Sequence, residues 1–393
     1  MKIAQVIIGS GFGDEGKGIM TDYFSDLYKS ENAVVIRYNG GAQAGHTVVT
    51  PDNDRHVFSH FGSGTFVGIP TYLASEFIVN PMLFNKEYME LFKYKPIVYV
   101  HGKCRITTPY DILLNQLIED SRGNKHGSCG LGIFETIIRH KEIPLTVSDF
   151  YNKDITYLMD IIFSIKEYAY ARLKACDIAI TDDIINLLEL DIVTPFFQDL
   201  NIFCWAVAPD NSPLKTKNVY IFESAQGLLL SEKHGVMPHL TPSDPGLAIP
   251  LQICKELDIK NVNVCYVTRC YTTRHGNGPL TDEKPVEEMG LYVQGETNVT
   301  NKYQGNFRYA PLDVQAIKTA INNDFKESIG YDGTVTKQLA ITCIDQLPQF
   351  RQGLIDDILT FMKNVYNSID MSTGYFSVGP SRNYVHTATL NKR

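Results

Sequence analysis

The first eighteen residues, MKIAQVIIGSGFGDEGKG, constrain this chain more than any other stretch. Lys2–Ile8 is a short Val/Ile-rich run of the kind that forms a buried strand. Glycines follow at 9, 11, 13, 16 and 18, with Lys17 among the last of them. Ile19, Met20, Tyr23, Phe24 and Leu27 then recur at helical spacing. A strand, a glycine-rich turn and a helix in this order put bare backbone N–H groups and a helix N-terminus where an anion would sit. The stretch reads as a phosphate cradle.

Two motifs overlap in it. Gly11 to Gly16 satisfies GxGxxG, the dinucleotide fingerprint, and Gly11 to Lys17 satisfies GxxxxGK, the phosphate loop whose lysine reaches the β- and γ-phosphates. The first reading fails a simple check. Tyr38-Asn39 stand at the end of the second strand, where a dinucleotide site needs an acidic residue for the ribose. The second has an irregularity, because the Ser or Thr that binds magnesium is replaced by Gly18. Either the site takes no metal or another ligand stands in, and Asp14 inside the loop is the obvious candidate. A carboxylate there also places an acid or base beside a phosphoryl group. The bland alternative is a glycine-rich turn with no ligand.

A chain of 393 residues has ample core for one large domain or two. Its 44% hydrophobic and 20% charged content is that of a globular protein. A net charge of −8 argues against a nucleic-acid partner held by a basic surface, though not against a local cationic pocket. No run approaches the ~20 apolar residues of a membrane span, and no signal peptide is read at the N-terminus. The eight cysteines are scattered, with no CxxC pair and no zinc spacing, as expected of free thiols in a reducing cytosol.

Further loops follow further strands. Ala33–Tyr38 reads as a second buried strand leading into Asn39-Gly40-Gly41-Ala42-Gln43-Ala44-Gly45-His46-Thr47. Ligands in open α/β sheets bind beyond the carboxyl ends of strands, so this loop and the first converge if the strands are adjacent and parallel. His46 is a candidate donor to a phosphoryl or carbonyl oxygen; alternatively its imidazole bonds a loop carbonyl. Strands are expected at Phe77–Val79 and Ile97–His101, and helices over Met82–Lys95 and Thr107–Asp120. Gly127-Ser128-Cys129-Gly130-Leu131-Gly132 is a third glycine-rich loop, with Arg139 on the helix after it. Residues 147–217 carry helical Leu/Ile patterns and read as an excursion from the sheet.

A strand at Val219–Glu223 leads to Gln226-Gly227, where an amide could serve a developing oxyanion or simply bond a turn. Thr241 opens a Pro/Ser/Asp-rich loop before the helix Leu247–Glu256. A strand at Asn263–Thr268 runs into Arg269, Thr272 and Arg274, and the polar stretch from His275 through Gln304 has the composition of a substrate-closing loop. Arg308, a helix over Leu312–Asn322, a strand Leu339–Ile344 tipped by Asp345, and a helix Ile355–Tyr366 complete the pattern. The fold class expected is α/β: a mostly parallel central sheet, a phosphate loop after its first strand, and helical subdomains, all within one domain over 1–393.

GFGDEGKG at 11–18, RYNGGAQAGHT at 37–47, FESAQG at 222–227 and TTRHGNGP at 272–279 resemble the adenylosuccinate synthetase family, over nearly the whole chain. The resemblance implies a cytoplasmic homodimer (in host cytoplasm for the viral branch) that uses GTP and Mg2+ to join L-aspartate to IMP through a 6-phosphoryl intermediate. It implies that Asp14 is base and metal ligand, with the Gly45 carbonyl completing the metal shell. Lys17 would neutralise phosphates, His46 would act as acid, and Gln226 would hold the O6 oxyanion. Gly13, Glu15, Gly16, Gly18, Thr47 and Arg308 would lie with Lys17 on the donor side, where Asp345, Ser377, Gly379 and Pro380 surround the base. Gln43, Ser128, Cys129, Arg139 and Thr241 would hold the purine monophosphate, Arg139 reaching the neighbouring subunit's. Thr300, Asn301, Lys302, Gln304 and Arg308 match the aspartate loop, but with one arginine where the family has several. One viral branch ligates aspartate to dGMP with an ATP-type donor, and retention of Asp14 favours IMP over it. A nucleotide-binding homologue without catalysis is the reading from another class.

Overall fold

The computed structural model describes residues 2–122, 128–293, 295–296 and 305–389. Its centre is a ten-stranded sheet. In spatial order the strands are β16 (Val385–Thr389), β15 (Thr373–Ser377), β14 (Thr334–Thr342), β11 (Asn261–Arg269), β1 (Ile3–Gly9), β10 (Val219–Gly227), β2 (Ala33–Arg37), β5 (Thr71–Leu73), β7 (Val98–Val100) and β9 (Val207–Ala208). Every neighbouring pair is parallel except β15–β16. Three two-stranded ribbons lie outside it: β3 (His46–Val49) with β4 (Arg55–Phe58), β6 (Ile78–Val79) with β8 (Arg105–Ile106), and β12 (Thr272–His275) with β13 (Phe307–Ala310).

The near-continuous apolar runs expected of strands covered on both faces are present: β1, β2 and β10 are buried along almost their entire length. The phosphate loop thus springs from a strand buried at every position but its first. One expectation needs correcting. β1 and β2 are not adjacent, because β10 inserts between them; the two loops reach the same edge with the Gln226 turn in the gap. Five consecutive parallel strands, β14, β11, β1, β10 and β2, end at that edge, and their loops form the crevice.

Residues 147–217 contain helices Val147–Asn152, Ile155–Ala175, Asp182–Glu189 and Val193–Ala206 before β9 rejoins the sheet. Leu158, Ile162, Ile165, Ala169 and Leu173 give helix Ile155–Ala175 one buried stripe, which packs with Phe84, Leu114, Phe196 and Phe203 in a core separate from that of the central strands. The C-terminal hairpin β15–β16 was not anticipated. It closes the sheet's far edge, where Arg382 donates to both oxygens of Asp22 on helix α1 (Lys17–Leu27) at 3.1 and 2.9 Å. Among the described residues no helix is long and apolar enough to cross a membrane.

Candidate active site

One cavity of about 910 Å3 lies beyond the carboxyl ends of these strands. Asp14, Glu15, Gly16, Lys17, Gly18, Gln43, Gly45, His46, Thr47, Ser128, Cys129, Gln226, Thr241, Asp345, Ser377, Gly379 and Pro380 all line it. Gly13 sits between the lining residues Phe12 and Asp14. Three non-glycine residues around the cavity hold left-handed backbone: Asp14 at φ 55°, Gln226 at 68° and Cys343 at 62°. Such conformations cost of order 1–3 kcal/mol each and persist only where the surroundings fix them. At Asp14 the surroundings include Arg269, whose Nε donates to the Asp14 carbonyl at 2.6 Å while its NH1 donates to Glu296 at 2.8 Å.

The missing magnesium hydroxyl has a steric cause. A Cβ on Gly18 would lie 2.7 Å from the Thr47 carbonyl oxygen and 3.3 Å from the His46 carbonyl carbon. The His46–Thr47 backbone therefore presses against α1 at the position where an ordinary phosphate loop carries Ser or Thr. Gly18→Ser is expected to lower Tm in a thermal melt, by the about 1–3 kcal/mol typical of overpacking, and to weaken rather than strengthen triphosphate binding in a titration. Tighter binding would overturn this account.

His46 is 6% exposed. Its Nδ1 lies 2.6 Å from Oε1 of Glu223, which is fully buried at mid-strand in β10. Glu223 also accepts from the Ser63 amide at 3.0 Å and from the Ser63 hydroxyl. Burial pushes the Glu223 carboxyl up, but His46, Arg37 and Ser63 outweigh it and hold the group at about 2. Burial pushes His46 down to about 4, with Arg37 and Lys17 adding to it against the pull of Glu223. One arrangement satisfies both directions: an ionised carboxylate, which can only accept, and an imidazole whose proton sits on Nδ1. Nε2 is buried and unpaired. It is free for a ligand.

Glu15 holds the phosphate loop from inside, taking the Gly11 N–H on Oε1, and burial raises its pKa to about 8 against the pull of Lys17. The Ser128–Gly132 loop is held from the helix Pro109–Ser121. Asn115 donates to Ser128 Oγ at 3.0 Å and accepts from Gly132 N–H at 3.1 Å. The helical excursion reaches the same wall through Arg172, whose Nε lies 3.0 Å from the cavity-lining Glu135. At the opposite end Asp345 is half-buried, and burial raises its pKa above the ordinary carboxylate value.

Two expected residues do not reach the cavity. Arg139 is fully buried on its own chain: Nε and NH2 bind Asp111 at 3.1 and 2.9 Å, and further donors go to the Ile143 and Ile106 carbonyls. Four of its five N–H donors are engaged within its own chain. Arg308 is bound to Glu283 and to the carbonyls of Gly276 and Gly278, and so staples the turn between them. Thr300, Asn301, Lys302 and Gln304, and that part of the expected closing loop, lie outside the described residues. Glu223, Asn115 and Arg269 carried no role in the sequence reading. The one signal for Glu223 was a lone carboxylate directly after the apolar run VYIF at 219–222.

Residues 6–352 match the family model described as adenylosuccinate synthetase. The chain belongs to the adenylosuccinate synthetase family. An adenylosuccinate synthetase of Chlorobium phaeobacteroides is 30% identical over 295 residues, 71% of this chain and 64% of the relative, so the match spans a little under two thirds of that relative's length. Among solved structures, the fully ligated adenylosuccinate synthetase of Plasmodium falciparum has a TM-score of 0.73 at 16% identity, covering 97% of this chain and 98% of its own. The cyanophage S-2L succinoaminodeoxyadenylate synthetase PurZ, bound to dGMP and dATP, has a TM-score of 0.65 at 16% identity, covering 99% of this chain and 96% of its own. The likeness to these two structures is one of fold.

A divalent cation fits this adenylosuccinate synthetase-family site in one mode only. Among the described residues no group of three His, Cys, Asp or Glu converges on a point, so an all-protein cage is absent there. The other mode, common for Mg2+ in general, uses one or two carboxylates plus substrate phosphates and water. Asp14 and Gly45 both line the cavity, and a carboxylate and a backbone carbonyl are hard oxygen donors of that kind.

Proposed function

We propose that this protein is a GTP-dependent ligase that joins L-aspartate to IMP, giving adenylosuccinate through a 6-phosphoryl intermediate, and that it works as a cytoplasmic homodimer. The reading is carried by the gathering of Asp14, Lys17, His46 and Gln226 at one cavity, with His46 Nε2 unpaired and its other nitrogen fixed on Glu223. A homologue without catalysis has no use for that set.

In the first step Asp14 takes the N1 proton of the purine, O6 attacks the γ-phosphorus, and GDP leaves. Gln226 donates to O6 as its charge grows, and Lys17 balances the transferred phosphoryl. His46 serves the oxygen between purine and phosphorus. The ring is neutral, with Nδ1–H on Glu223. A donating Nε2–H therefore requires it to take up a second proton as the anionic triphosphate binds, and the buried carboxylate would stabilise the imidazolium that results. In the second step the aspartate amine attacks C6 and inorganic phosphate departs. Mg2+, held by Asp14 and the Gly45 carbonyl, would neutralise the donor phosphates. Asp345, acceptor-only when ionised, suits the two adjacent N–H donors of a guanine on the donor.

The decisive experiment follows phosphate release with aspartate, crossing IMP and dGMP against GTP and ATP. Turnover with IMP and GTP is expected. Activity on dGMP alone would reassign the acceptor to the purine used by the viral branch. Silence in all four combinations would leave a nucleotide-binding homologue.

A further inference from the structure

Arg274 on β12 is 3% exposed and makes no ion pair among the described residues. Its Cζ lies 4.4 Å from the centroid of the Phe12 ring. NH1 donates to the Pro279 carbonyl at 2.8 Å and NH2 to the His239 carbonyl at 3.3 Å. These contacts belong to three different loops. Phe12 is in the phosphate loop, two residues before Asp14; Pro279 closes the turn that follows the cavity-lining His275 and Gly276; His239 begins the loop that carries Thr241. The turn is shaped around the guanidinium, since a Cβ on Gly278 would lie 2.3 Å from NH2 and 2.6 Å from Cζ. Arg308, paired with Arg274 across β12–β13, holds the same turn from its other side through Gly276 and Gly278.

A buried cation without a carboxylate is costly. Burial, and then Arg308, push Arg274 down to about 10, which leaves it charged at neutral pH. What an arginine supplies here, and a lysine or an apolar residue does not, is a planar fork that reaches two carbonyls while its face stacks on an aromatic ring. We propose that Arg274 is a positioning residue that fixes the phosphate loop relative to the Thr241 loop, and so sets the line between the transferred phosphoryl group and the purine that receives it. The inference rests on the reading above, in which donor and acceptor nucleotides occupy those two loops.

Arg274→Lys, Phe12→Leu and their double variant test it. Each loop keeps its own contacts, so the dissociation constant for each nucleotide alone should stay within about three-fold while kcat falls about 10–100-fold, the order expected for a misplacement near 1 Å. The double variant should be no slower than the slower single one, because both remove one contact. Unchanged kcat, multiplicative losses in the double variant, or a fall in kcat matched by lost nucleotide binding would overturn the proposal. Hydrogen exchange decides the matter without turnover. The hydrogen-bonded amides of Gly11 in the phosphate loop and of Leu240 and Thr241 in the other should lose protection together in Arg274→Lys, and unaltered exchange in either loop would count against it. A wild-type enzyme silent in every substrate pairing would sink the ligase reading and leave the exchange result standing by itself.

Discussion

Asp14→Asn should abolish measurable turnover while leaving the protein folded. Asparagine is the right replacement because Asp14 sits at φ 55°, and asparagine tolerates left-handed backbone where alanine adds strain. The Arg269 bond to the residue-14 carbonyl is a backbone contact and survives the change. What disappears is the basic oxygen and one negative charge. A positioned general base contributes about 10²–10⁴ in rate, and weaker metal binding at the same carboxylate lowers the rate further. Phosphate release should therefore fall at least about a thousandfold, with Tm within a few degrees of wild type. Near-native kcat at saturating Mg2+ would show that another group takes the proton. A fall that Mg2+ fully restores would leave Asp14 as a metal ligand only.

The sheet was legible because its strands are buried on both faces, so runs such as VVIR at 34–37 and NVCYVT at 263–268 carry their own signature. The phosphate loop was legible for a different reason: glycine is required where backbones approach closely, as at Gly18 against Thr47. Adjacency was not. Nothing local records that β10, some two hundred residues downstream, inserts beside β1. The hairpin β15–β16 escaped because an edge of the sheet is half-solvated, and segments such as VHTAT there mix polar and apolar residues. The intrachain partners of Arg139 and Arg308 were not legible, because a motif position says that a cation is present and not which anion lies beside it. Asp111 and Glu283 lie 28 and 25 residues away in sequence, and both turn their arginines into structural ties.

Glu223→Gln carries the other large expected effect. The carboxylate accepts the Nδ1 proton of His46 and two donors from Ser63. An amide keeps the shape but offers its own N–H on one side, so it can present a donor to Nδ1 and move the ring proton to the other nitrogen. It also removes the negative charge that stabilises an imidazolium. An equivalent carboxylate-to-amide change behind a catalytic histidine costs about 10⁴ in kcat, and a loss of about 10²–10⁴ is expected here. Stability should fall too, since Arg37 is fully buried and Glu223 is the main negative charge offsetting its burial. Ser63→Ala separates the two consequences. It removes one donor to the carboxylate but leaves the charge and the His46 contact, so kcat should drop far less than in Glu223→Gln. Equal kcat losses in the two variants would mean that His46 depends on the packing of this pocket and not on the charge beneath its ring.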